Sequence, residues 1–160
     1  MKPFGLALFT IPLIWASSPD QLVDICLDDR VRIDNQTAKA FDKELSLLSG
    51  STFRLVDRKR SLAKCIRISI RSHAPARYQG ALGLAFTADG RVLPAIDLYV
   101  SNIQHTLGGV AGSERFGRAL AKVAFHELQH YVRQERHHEV RGLFAPALSG
   151  TQLLSSAVPD

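Results

Sequence analysis

The residues best placed to do chemistry are His126, Glu127 and His130, in the run Ala124-Phe125-His126-Glu127-Leu128-Gln129-His130. Residues four apart on an α-helix point the same way, so His126 and His130 can offer both imidazoles to one zinc ion. Glu127, one step round the helix, then faces the water that such an ion would bind. Zinc lowers the pKa of its water from near 16 towards about 7 and polarises a carbonyl, while a neighbouring carboxylate accepts the proton and passes it to the leaving group. A catalytic zinc takes three protein ligands and keeps one position open. His137, His138 and Glu139 follow closely enough to supply the third. Adjacent residues in a loop point in different directions, so one ion takes at most one of the two histidines, and Glu139 would give a His₂Glu site instead. His73 and His105 lie far from this cluster along the chain and read as ordinary surface or strand-end residues. A chance motif, with Glu127 merely pairing with basic neighbours on its helix, is the plain alternative. Its context, a long helix after a run of strands with further histidines downstream, favours the metal.

These residues need a helix to hold them, and the sequence predicts one from Ser113, as N-cap, to about Gln134, after the flexible break Gly108 to Gly112. At 100° per residue, His126 and His130 fall between a polar stripe (Arg115, Arg118, Lys122, Gln129, Arg133) and an apolar face (Phe116, Leu120, Ala124, Leu128, Tyr131). Upstream, Val31 to Ile33 reads as a short strand. Asp34 or Asn35 then caps a helix with Ala38, Phe41, Leu45 and Leu48 on one face, ending at Gly50. Thr52 to Val56 and the alternating Cys65 to Ile70 read as strands. So do Ala81 to Thr87 and, after the tight-turn pair Asp89-Gly90, Arg91 to Val100, with Pro94 arguing that this last strand begins beyond it. Ser149-Gly150-Thr151-Gln152 reads as a capping box opening a final helix. The sum is one α+β unit without repeats.

The 160 residues, 46% of them hydrophobic, suit one domain with a real core. Residues 1–18 read as a signal peptide: a positive start at Met1-Lys2, an apolar run from Phe4 to Trp15, and small residues Ala16-Ser17-Ser18. The run is short for a membrane span and is broken by Pro12, so the expected product is residues 19–160, secreted or periplasmic, with no stable membrane anchor. Outside the cytoplasm a pair of thiols tends to oxidise, so Cys26 and Cys65 are candidates for a disulfide rather than two buried free thiols. Neither sits in a metal-binding spacing. The net charge of +5 does not point to nucleic acid, because the basic residues are scattered without aromatic platforms. The dense run Arg58-Lys59-Arg60 reads as a solvated turn.

The stretch HELQHYVRQERHHEVRGLFAP resembles the metzincin clan of zinc peptidases, whose motif HExxHxxGxxH is followed by a methionine-containing turn beneath the metal. It is similar to small bacterial proteins with HELGHYLLG, a wider gap, then HSxxGLM and an LSxxDL-like helix start. The resemblance implies that His126, His130 and His138 hold one Zn²⁺, that Glu127 is the general base, and that Gly142-Leu143-Phe144 occupies the methionine turn. Gly80 to Phe86 resembles the edge strand along which an extended substrate lies antiparallel, and Ala95 to Val100 the strand after it. The implied fold is zincin-like: a mixed twisted sheet of about five strands with a backing helix, a central active-site helix and a short C-terminal helix. In that arrangement the first and third strands are neighbours, so Cys26, expected just before the first strand, and Cys65 could be bridged. The implied function is an exported zinc-dependent endopeptidase acting on a peptide or protein substrate. The alternative is a zinc-binding interaction module that keeps the scaffold without turnover. Three departures stand out: Gln129 replaces a glycine between the ligands, Arg133 and Gln134 stand where a glycine lets the chain turn, and Phe144 replaces the methionine. The sequence assigns no oligomeric state.

Overall fold

The computed structural model describes residues 22–29, 32–50, 52–56, 65–138 and 142–155. The expected signal peptide, the Arg58-Lys59-Arg60 turn and Glu139 lie outside the described residues, as does the side chain of Phe144. Among the described residues no helix is long and apolar enough to cross a membrane.

Five strands form one mixed sheet: β1 (Val23–Asp29), β2 (Phe53–Val56), β3 (Ile66–Arg71), β4 (Gly83–Ala88) and β5 (Arg91–Tyr99), in the order β2-β1-β3-β5-β4. All neighbours are parallel except β4, which runs antiparallel to β5 at one edge. The helices are α1 (Asn35–Ser49), α2 (Val100–Thr106), α3 (Ser113–Arg133) and α4 (Gly150–Leu154), with 3₁₀ turns at Ala76–Tyr78 and Gly142–Phe144. The α+β class and the five-strand mixed sheet agree with the sequence reading.

Alternation explains which side of the sheet is apolar. Ile25, Ile66, Ile68, Ile96 and Leu98 are buried in one core with Phe41 and Leu45 of α1 and with Phe116, Leu120, Ala124 and Leu128 of α3. Helices α1 and α3 cross closely at Gly117, where an added Cβ would collide with the Thr37 carbonyl and stand 2.7 Å from Ala40 Cβ. Only glycine fits there without moving a helix.

Several expectations are corrected. Val31 lies outside the described residues, and Arg32 and Ile33 are not in a strand; the first strand among the described residues is the earlier run Val23–Asp29, so Cys26 lies inside it rather than ahead of it. That run alternates apolar Val23, Ile25 and Leu27 with Asp24 and Asp28, and Asp24 sits opposite Arg54 of β2, whose guanidinium holds it at 2.7 Å. Cys26 and Cys65 are joined, tying β1 to the start of the neighbouring β3. Pro94 stands within β5 instead of before it; the β4–β5 register shifts between Ala85 and Thr87, and the irregularity accommodates a residue that cannot donate to the ladder. Ser113 does not cap α3: Gly112 is the cap residue, and the Ser113 hydroxyl donates to Asp34 at 3.0 Å.

Candidate metal centre

Helix α3 passes behind the edge of the sheet with His126 and Glu127 only 7% and 8% exposed and His130 half-buried. Of the two residues expected at the border of the apolar face, His126 is covered and His130 is half-covered. Lys122, expected on the polar stripe, is also buried. Its ammonium donates to the Gln152 carbonyl at 3.1 Å and to the Ser155 carbonyl, with Glu44 3.8 Å away, so the end of α4 supplies the acceptors that water would have given. Burial lowers its pKa, and Glu44 opposes the shift.

Each of the two helix histidines is oriented by a backbone carbonyl. His126 Nδ1 lies 2.6 Å from the Leu143 carbonyl and His130 Nδ1 lies 2.9 Å from the Glu135 carbonyl. A carbonyl only accepts, so Nδ1 carries the proton in each neutral ring and Nε2 carries the lone pair. The two Nε2 atoms face each other at 3.2 Å. Two lone pairs at that distance repel unless a proton or a cation is shared between them. A shared proton is disfavoured, because burial, against the Leu143 hydrogen bond, pushes His126 down to about 4, and the neighbouring His130 and His138 push the same way. A zinc ion with Zn–N distances of about 2.0–2.1 Å in tetrahedral geometry spaces its nitrogens by roughly 3.3–3.4 Å. The separation fits that geometry closely.

His138 completes the group. Its ring stacks on His126 with centroids 5.2 Å apart and meets His130 edge-on at 4.8 Å. One ligand atom from each of His126, His130 and His138 lies within 4.8 Å of the others, the only such group among the described residues. His137 is exposed and outside the group. His73 and His105 are exposed and elsewhere, as expected. Among the described residues the donor set is three imidazoles, one that suits zinc.

Glu127 is held from the sheet side. Its Oε2 accepts from the Ala85 N–H of β4 at 2.8 Å. Burial pushes its carboxyl up to about 7, against the lowering effect of that hydrogen bond; a cation on the adjacent histidines would pull it back down. Strand β4 comes this close because residue 83 is glycine. A Cβ there would stand 2.9 Å from both Glu127 Cγ and Val123 Cγ1.

These groups face a cleft of about 820 Å³ lined along one side by β4 and along the other by α3, the segment around Glu135–His138, and Ala145–Leu148. The strand expected at Ala81 to Thr87 is therefore the cleft wall as well as the sheet edge. The turn expected at Gly142-Leu143-Phe144 lies where its Leu143 carbonyl reaches His126. The chain reversal after α3 is made without glycine: Gln134 takes φ +52°. Sequence reasoning missed the carbonyls of Leu143 and Glu135 and the N–H of Ala85. Backbone groups carry no side-chain identity, so only Gly83, a glycine inside a strand, signalled a close approach.

No family model, curated protein or solved structure matches the chain.

Proposed function

We propose that the protein is an exported zinc-dependent endopeptidase of metzincin-like fold. One observation carries this reading: Nε2 of His126 and of His130 converge to 3.2 Å with both Nδ1 protons committed to carbonyls, and His138 closes the third side. His126, His130 and His138 would hold the ion. When bound, zinc supplies Lewis acidity toward water and toward the scissile carbonyl. Glu127 does the proton work. Ala85 occupies Oε2, which leaves Oε1 to take the proton from the attacking water and deliver it to the departing amine nitrogen as the C–N bond breaks. The products are a carboxylic acid and an amine.

The substrate backbone would lie against β4, adding a strand to the open sheet edge beside the site. The strand order, with one antiparallel edge strand beside the helix that bears the motif, supports the metzincin-like reading. The Cys26–Cys65 disulfide supports an oxidising compartment, periplasmic or extracellular. The test is cleavage of a peptide library by the purified protein, with products identified by mass. Cleavage should stop with a chelator and return with zinc; a zinc-loaded protein that cuts no peptide would leave a binding module instead.

A further inference from the structure

Gln134 closes α3 in a conformation that glycine usually supplies, with φ +52°. Its side chain is bound at both ends. Oε1 accepts from the Val92 N–H at 3.1 Å, while Nε2 donates to the Val92 carbonyl at 3.2 Å and to the Tyr131 carbonyl at 2.8 Å. The first two bonds reproduce the paired exchange that a neighbouring strand makes with one residue. Among the described residues β3 pairs with β5 from Ala95 onward, so at Val92 Gln134 takes the place that a further strand residue would take.

The next residue belongs to the metal centre. Glu135 N–H donates to the His130 carbonyl at 3.2 Å, and the Glu135 carbonyl accepts from His130 Nδ1 at 2.9 Å. Glu135 is thus bonded twice to His130, and its backbone continues directly from the clamped Gln134. Three residues later the same segment returns His138 to the group. We propose that Gln134 is a positioning residue: by pairing with Val92 it fixes the Glu135 carbonyl, and through it the tautomer and ring orientation of His130. The inference rests on the proposed metal centre only for its functional meaning. Where the sequence resembles a clan with glycine at the bend, this chain has a residue that trades backbone ease for a side-chain clamp to the sheet.

The experiment is long-range ¹H–¹⁵N NMR of the imidazole nitrogens in metal-free protein at about pH 8, above the ordinary imidazole range. Parent, Gln134→Ala and Gln134→Gly are compared, each checked for a native amide spectrum. In the parent His130 is the Nδ1–H tautomer. Both variants move His130 to a mixture of tautomers, while His126, held by Leu143, keeps the parent pattern as internal control. Gln134→Gly separates the two roles, since it relieves the backbone and removes the clamp. A His130 that keeps the parent tautomer in the folded Gly variant overturns the proposal, as does a parent His130 that is already mixed. In a parallel zinc titration both variants bind about tenfold to a hundredfold more weakly than the parent. Because the spectra are taken without metal, they decide the role of Gln134 separately from whether the parent binds zinc.

Discussion

The two oxygens of Glu127 have different neighbours, and that asymmetry makes its role testable. Glu127→Gln keeps the three histidines and nearly the same volume, but an amide cannot take a proton. Turnover should fall by about 10²- to 10⁴-fold while zinc affinity stays near the parent value, read from steady-state kinetics beside a metal titration. An active Gln variant would remove Glu127 from the chemistry. His126 and His130 were legible because type and spacing carry the information: histidines four apart on a helix must share a face. His138 over His137 came from resemblance, and in the structure the ring of His138, not His137, meets the other two. The supporting groups were not legible, because the Leu143 and Glu135 carbonyls belong to the backbone and are placed only by the fold. Lys122 misled for a related reason. Helical periodicity put it among charged residues, whereas α4, distant in sequence, folds over it with a carbonyl at 3.1 Å.

At the scale of elements, Gly83 lets β4 reach Glu127, so Gly83→Ala is expected to displace the carboxylate or the strand. The variant should keep zinc binding and lose most of kcat; unchanged kcat in a folded variant would show that β4 does not set the position of Glu127. Helix α1 begins on Asp34, which accepts from the N–H groups of Gln36 and Thr37, each at 2.9 Å, and from the hydroxyls of Thr37 and Ser113. The Thr37 backbone hydrogen bond foremost, then its hydroxyl, holds the carboxyl down at about 2 from 3.8. The folded value is the lower one. The stabilisation is therefore complete above the unfolded value and is lost as pH falls from 3.8 through about 2. Chemical denaturation across that window should show a smaller pH dependence for Asp34→Asn than for the parent, and equal slopes would contradict the assignment. Elements with strong local signals, such as the Asp34 cap, the Asp89-Gly90 turn and the Ser149–Gln152 capping box, were legible. Strand β1 was missed because three of its seven residues are aspartates, one of them, Asp24, balanced by an arginine on another strand. Helix α2 was missed because Val100–Thr106 is short, has Gln104 as its one strong helix former and has no side-chain cap.

Across the whole molecule, the sheet and α3 must hold their mutual position for three histidines and one glutamate to meet, and the Cys26–Cys65 bond fixes two of the strands. With its ends 39 positions apart in the chain, its loss by Cys26→Ser with Cys65→Ser should cost about 2–5 kcal/mol, measured by denaturant unfolding of the oxidised parent and the double variant. Equal stabilities would mean that the bond is dispensable to the fold. The α+β class and the motif helix could be read from periodicity, while the strand order could not, because parallel pairing brings together segments far apart in the chain. The central claim is that His126, His130 and His138 hold one catalytic zinc ion. It is tested most directly by competition titration of zinc into the parent, His137→Ala and His138→Ala proteins. The parent should take one equivalent, His137→Ala should bind like the parent, and His138→Ala should bind more than about 100-fold more weakly. Parent-like zinc affinity in folded His138→Ala would contradict both the ligand set and the endopeptidase reading built on it.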